Sequence, residues 1–324
     1  DKEAGKEATA EPTETVSREA TGTSGFRNSG EVTSRVVSNW NGFVSALNDN
    51  SIQNITISGN VVATGDNGNT DNGRVNSVDR TVAINSQGRN VVIQGRNDQA
   101  SLDLLSNSLR FTGSSAWNLV FKNLQLATGN SKGAVDLSST TGANTVTFEN
   151  VKSQGSSLYG GGGNTDVIVK GETSSTVSDS YRSANGQTQY VQRNVGSAGH
   201  SVLRREANIH DAKSVTVADG ASLTLNRSSQ GDGINLAGGS TVRVNDGASL
   251  TINMNTNNGT ESARYHNAGI FMEHGGTVVT GKDSKLTLNT SIGQAISLGM
   301  GRPADGLTHL DRWGGYGTGN AFRR

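Results

Sequence analysis

A chain of 324 residues with 43 Gly, 2 Pro and no Cys, dense in Asn, Ser and Thr beside short Val, Ile and Leu runs, has the composition of a β-rich protein. Its 28 basic and 28 acidic side chains balance, so no overall field draws it to nucleic acid or to an anionic membrane. The lack of cysteine excludes a disulfide framework and a thiolate zinc site.

No apolar run approaches the roughly 18 residues that span a bilayer, and no charged-then-apolar leader stands at Asp1. The expectation is a soluble, mature fragment without membrane insertion. Residues 1–31 are rich in Glu, Ala, Thr and Ser, with Val16 and Phe26 as their large apolar residues. Such a segment cannot build a core, and it reads as a flexible polar linker ahead of one domain over residues 32–324.

That domain opens with RVVSNWNGFVSALNDN, where Trp40, Phe43, Val44 and Leu47 recur at i, i+3, i+4 and i+7. The spacing predicts a short amphipathic helix with Ser38 or Asn39 as its N-cap. Strand patterns follow directly, so the helix is expected to cover the first open end of a sheet stack.

From about Asn54 the chain repeats itself. AWNLVFKNLQL from Ala116 and ANTVTFENVKS from Ala143 match at 27 residues, and SVTVADGASLTLN from Ser214 matches STVRVNDGASLTIN with Gly220 and Gly247 also 27 apart. A later copy, GTVVTGKDSKLTLN, sets Ser284 35 residues after Ser249, which reads as one period plus an eight-residue insertion. Each repeat divides into three short strands with Gly-Gly and Asp-Gly corners: A (GINLAGG), B (STVRVNDG) and C (ASLTINMN). A two-sheet sandwich does not repeat in register at this period. The pattern predicts an all-β, right-handed parallel β-helix, its coils stacked at about 4.8 Å into a rod on the order of 40 Å long.

Strand A recurs as LRFTG, AVDLSS, SLYGG, EANIHDA, GINLAGG, GIFMEHGG and AISLGMG. Alternation turns Val135, Leu137, Ile234, Leu236, Ile270, Met272, Ile296 and Leu298 inward, and leaves Asp136, Asn235, Phe271 and Ser297 outward. Strand B midpoints fall near Val92, Val120, Thr147, Ile168, Thr216, Arg243 and Val278. Two intervals are too long. They carry VSDSYRSANGQTQYVQRNVGSAGHSVLRR and NTNNGTESARYH, and both leave from the corner between strands C and A.

Between Tyr181 and Arg205 stand four Arg, two Tyr and one His with no acid. Guanidinium forks suit carboxylates and tyrosine faces suit sugar rings. The candidate ligand-binding residues are therefore Tyr181, Arg182, Tyr190, Arg193, His200, Arg204 and Arg205 from the first insertion, Arg264, Tyr265 and His266 from the second, and Phe271 on strand A. Together they predict an edge that takes acidic polysaccharide, and His200 and His266 would add positive charge there in mild acid. The bland alternative is that the loops are decoration with ordinary surface arginines. The C-terminal stretch, with Trp313, Tyr316 and Phe322, reads as an end cap ahead of a sugar platform.

The coil pattern, the leading helix and the polar linker resemble the pectate-lyase-like binding region of serine-rich repeat adhesins of lactobacilli, over nearly the whole chain from about Arg35. The resemblance implies a bacterial surface protein tethered to the cell wall through sequence outside this fragment, binding pectin-type polygalacturonate or host mucosal glycans in a pH-sensitive manner. It also implies a monomeric binding region without cofactor.

Enzymes share the fold, so catalysis is weighed by residues. The lyase pattern R-x-P-x-x-R is broken at GRPADG, where Gly306 stands in place of the second arginine. Asn164-Thr165-Asp166 and Gly199-His200-Ser201 match only fragments of the hydrolase set, without an adjacent Asp pair, and Asp166 reads as a turn aspartate. Asp66, Asn67, Asn69 and Asp71 offer hard oxygens at a spacing wrong for an EF-hand, and the histidines at 200, 210, 266, 274 and 309 lack an i, i+4 zinc pair. A polysaccharide lyase or hydrolase and an inert spacer remain the alternatives to an adhesin.

Overall fold

Alternating apolar residues and glycine corners make strands too short to bury a face alone, so they pack by stacking on copies of themselves. The computed structural model describes residues 13–17, 31–64, 80–84, 87–192, 207–228, 231–254, 268–272, 275–290 and 295–297. It is a right-handed parallel β-helix whose coils run B, C, A.

Row B stacks Glu31–Val37, Asn54–Ile57, Asn90–Gly95, Asn118–Thr128, Asn144–Gly155, Thr165–Lys170, Ser214–Val217, Thr241–Val244 and Thr277–Thr280. Row C stacks Asn60–Val62, Ser101–Asp103, the second halves of Asn118–Thr128 and Asn144–Gly155, then Glu172–Val177, Ser222–Arg227, Ser249–Met254 and Lys285–Thr290. Row A is a separate eight-stranded sheet of Arg80–Ala83, Asn107–Gly113, Val135–Thr140, Tyr159–Gly160, Ala207–His210, Asp232–Leu236, Ile270–Met272 and Ile296–Ser297. Arg80–Ala83 is a strand A that the sequence pattern did not reveal, since its residues fall between polar stretches.

The 27-residue period is the physical register: Leu119 pairs with Val146 and Val215 with Val242. Rows B and C run together where two strands pass the corner unbroken, bending at Asn123 (φ 52°) and Asn150 (φ 55°), the left-handed conformation that Asn tolerates better than most residues. The inward columns Val91–Leu119–Val146–Val167–Val215–Val242 and Ile93–Phe121–Phe148–Val169–Val217–Val244 are fully buried. Phe121 stacks on Phe148 with ring centres 5.5 Å apart. On the outside of row C, Asn289 donates to Asn253 and Asn253 to Asn226, each at 2.9 Å, and Asn226 donates to Thr176.

Helix α1 spans Trp40–Leu47. Of the two expected caps Asn39 serves, its Oδ1 accepting from Gly42 N at 2.8 Å. Trp40, Phe43, Ala46 and Leu47 are buried against the first strands of rows B and C. The Arg89 guanidinium donates to the carbonyls of Leu47 and Asp49, closing the helix C-terminus. Within the segment read as linker, Thr13–Ser17 pairs antiparallel with Glu31–Val37 and covers the first row B edge.

Three expectations are corrected here. The last repeat pairs Ser249 with Lys285 and Arg243 with Val279, a spacing of 36 residues, one more than letter matching gave. Asp283 (φ 57°) occupies the left-handed corner that Gly247 (φ 68°) holds one coil earlier, so aligning Ser249 with Ser284 slipped the register by one.

The strand A residues expected to face outward are also buried: Asp136 1%, Asn235 1%, Phe271 3% and Ser297 1% exposed. They do form one column in register, Asp136–Gly160–His210–Asn235–Phe271–Ser297. Alternation fixes the side on which a side chain leaves the strand and says nothing about whether that side is covered. Asp136 accepts from Arg110 Nε and from Ser138 N and Oγ, and Asn235 donates to Asp232 Oδ2 at 2.6 Å. Asp166 is likewise a strand residue, within Thr165–Lys170, rather than a turn aspartate.

Two substitutions separate packing from backbone strain. Leu250→Ala, at a fully buried site, is expected to lose about 2–5 kcal/mol. Gly247→Ala, where a Cβ would meet nothing closer than 3.9 Å, should lose about 1–2 kcal/mol from its left-handed backbone alone. Urea unfolding of both variants measures the difference.

Candidate functional site at the C-to-A corner

A chain can leave a stack of coils only where it does not interrupt a ladder. The segments 63–79, 178–206 and 255–269 all run from a row C strand to a row A strand. The two long intervals of the repeat therefore share one corner, as expected, and the polar loop carrying Asp66, Asn67, Asn69 and Asp71 leaves from it too. That loop's ligand-type residues lie outside the described residues, as do Arg193, His200, Arg204, Arg205, Arg264, Tyr265 and His266.

The first insertion begins as an antiparallel hairpin, Ser180–Arg182 with Thr188–Tyr190. It folds back along the axis over preceding coils. Tyr181 packs with Ala127 and Val191, while Gln192 N donates to Gly129 O and Gln192 Oε1 accepts from Ser131 N. A Cβ on Gly129 would stand 2.5 Å from Tyr190 O, and one on Gly155 2.9 Å from the Tyr181 ring. Two glycines thus make the bed on which the hairpin lies.

Its far end is fixed by Asp103, the last residue of its row C strand. This carboxylate is 3% exposed and accepts from Tyr181 Oη at 2.6 Å, Ser183 Oγ at 2.6 Å and Ala184 N at 3.1 Å, besides Leu105 N at 3.0 Å. Leu105 itself sits at φ 53°, a strained conformation for a leucine. Burial, with the Asp103 charge beside it, pushes the Tyr181 phenol far above its ordinary value. Burial does the same to Tyr159, lifting it well above the ordinary range.

Tyr181 is consequently not a sugar-facing ring, because its edge is spent on Ala127 and its hydroxyl on Asp103. Phe271 is likewise buried within row A. Arg182 is exposed and Tyr190 half-buried on the hairpin, so the described candidates split into two that are accessible and two that are structural.

Between hairpin and coil wall lies a small cleft of about 10 Å³, room for little more than one water, lined by Ser131, Ser156, Ser157, Val177, Val191, Gln192 and Arg227. Lys132 is exposed on the same corner. Arg227 is 3% exposed and donates to Asn208 Oδ1 at 3.3 Å. Asn208 is in turn fixed by donating to Ser175 O, Ser175 Oγ and Asn226 O, each at 3.1 Å. A Cβ on Gly231 would collide with the guanidinium. Sequence reasoning missed Arg227, although a signal was present. It takes an inward slot in register with Val177 and Met254, and a charge in an apolar column requires a special environment. Chemically the cleft offers a guanidinium, hydroxyls and an amide, a set that suits a bound water at its size.

Among the described residues, no cluster of three or more His, Asp or Glu could hold a metal ion, and no helix is long and apolar enough to cross a membrane. Asn164 donates to Gly142 O and Thr140 O, and Asp166 accepts from Ser214 Oγ at 2.6 Å. These members of the partial hydrolase motif are engaged in holding neighbouring coils together.

Fold and corner define a β-solenoid with its inserted segments on one ridge. Residues 34–159 match the sequence model of the family described as "Putative pectate lyase-like adhesive domain", so the resemblance drawn from the coils is met in this stretch. In solved structures the chain is similar to the serine-rich repeat protein of L. reuteri 53608, with 21% identity over 78% of each chain and a TM-score of 0.62. It is also similar to that of L. reuteri 100-23, with 16% identity over 81% of this chain and 71% of the other and a TM-score of 0.60. These likenesses show the fold. No curated protein sequence matches the chain.

The raised phenols have a measurable consequence. Neutral Tyr159 and Tyr181 are favoured by folding, so their contribution is fully present below the unfolded phenol value of about 10 and is lost as pH rises beyond it. In an ultraviolet titration, the folded protein should keep at least two protonated phenols at a pH where the denatured chain has ionised all five. Tyr181→Phe should reduce that deficit by one.

Proposed function

We propose that this protein is a bacterial surface adhesin module that holds acidic polysaccharide, of the pectin or host mucosal type, along the C-to-A ridge without cleaving it. The observation that carries the reading is the convergence of the inserted segments at one corner of the coils. A rigid scaffold that gathers its variable loops on one ridge places recognition there. Between Arg182 and Arg205 the first insertion brings four arginines and Tyr190 without an acid, matched to uronate carboxylates and a sugar face. The match of residues 34–159 to an adhesive domain agrees with that assignment.

Binding without turnover is supported by the engagement of the candidate acids. Asp166 and Asp136 accept from Ser214, Arg110 and Ser138, so neither stands ready to move a proton. Protonation of His200 and His266 strengthens the ridge's positive charge, and retention is tighter in mild acid.

Incubation with polygalacturonate tests the reading, with retention and new unsaturated or reducing ends recorded together. Retention without product is expected, whereas product would establish a lyase or hydrolase, and no retention on any glycan would leave a spacer. Replacing Arg204, Arg205 and Arg264 together by Ala should abolish retention, with the Tm nearly unchanged.

A further inference from the structure

The cleft beneath the hairpin has two walls of different kinds. One belongs to the coils: Ser131, Ser156, Ser157 and Arg227. The other is the end of the hairpin, Val191 and Gln192. The coil wall is held by sheet ladders, whereas the hairpin pairs only with itself and is attached through a few side chains and corner carbonyls. Its firmest attachment is Asp103, which lies on a different coil, 78 to 81 residues away in sequence.

We propose that Asp103 is a positioning residue for glycan binding: its carboxylate latches the hairpin onto the ridge and so holds the exposed Arg182 and the half-buried Tyr190 where a uronate carboxylate and its sugar face would meet them. The inference rests on the functional reading given above. Three donors from the hairpin converge on one buried carboxylate, and each such charge-assisted bond is stronger than a neutral one. The fourth donor, Leu105 N, ties the same carboxylate to a turn whose leucine is held in the left-handed region. Strain of this kind persists only where surrounding contacts over-determine it. With the latch open, Gln192 leaves Ser131, and the hairpin no longer holds Arg182 and Tyr190 against the ridge.

Reciprocity supplies a readout that a purely structural role would not move. If the closed hairpin favours ligand, ligand must favour the closed hairpin. The experiment follows amide hydrogen exchange over residues 180–192 with and without polygalacturonate, alongside retention on immobilised polygalacturonate, for the whole chain and two variants. Asp103→Asn weakens the latch itself. Gly129→Ala leaves Asp103 untouched and lifts the hairpin from beneath, since its Cβ would stand 2.5 Å from Tyr190 O.

Both variants are expected to speed exchange in the hairpin while the row B strands keep their protection, and to weaken retention by about tenfold, the equivalent of one lost hydrogen bond. In the unmodified chain, polygalacturonate should slow hairpin exchange. Faster hairpin exchange with undiminished retention would overturn the latch alone, as would exchange that ignores the ligand or Asp103→Asn. If the unmodified chain is not retained at all, the functional reading falls and the positioning role falls with it.

Discussion

Every coil leaves its main-chain donors and acceptors pointing along the axis, where only another coil in register can meet them. That single requirement fixes most of the molecule. It aligns Val215 under Val242 and Leu223 under Leu250, so each aliphatic column is continuous and each buried Val, Leu or Ile contributes roughly 1.5–3 kcal/mol. It exposes a problem at the first coil, where α1 and the antiparallel strand Thr13–Ser17 occupy positions a further coil would take. It also dictates where extra chain is tolerated. An insertion inside a row would break ladders on both sides, whereas the C-to-A corner accepts long segments because no ladder runs through it.

The corner concentrates the costly chemistry as well. Asp103 and Arg227 each end a row C strand and each is almost wholly buried. Isolated, either charge would be strongly unfavourable there. Asp103 is satisfied by four donors, three of them brought by the hairpin, and Arg227 is aimed by an asparagine that is itself held at three points. Rigid coils thus orient polar groups that short strands alone could not, and the hairpin is a partner in that arrangement rather than an appendage.

How much of this was legible follows from the range of the interactions. The coil, its three strands, the helix and its asparagine cap are local patterns, and periodicity displays them directly. The last register was lost because Asp283 replaces Gly247 at a corner, so letters matched where backbone conformation did not. The inward column of strand A was readable from alternation. Its outer column, Asp136 to Ser297, was readable as a column, but its burial was not, since that depends on what lies over the sheet. Tyr181 looked like a ligand residue because composition gives its neighbours and not its direction. Asp103 gave no signal, for its partners lie 78 to 81 residues further on. Arg227 alone was a missed clue, a charge in an apolar slot.

The asparagines outside row C are a directional chain: Asn289 gives to Asn253, Asn253 to Asn226, and Asn226 to Thr176. Each amide is satisfied by the coil before it and offers its own oxygen to the coil after it, so any member is interchangeable with the next. Duplication of one 27-residue unit in the encoding DNA would insert a coil whose amide, ladder groups and aliphatic residues already have partners on both sides. The reach of such a rod can therefore change in whole steps during evolution, with the inserted segments carried along unaltered.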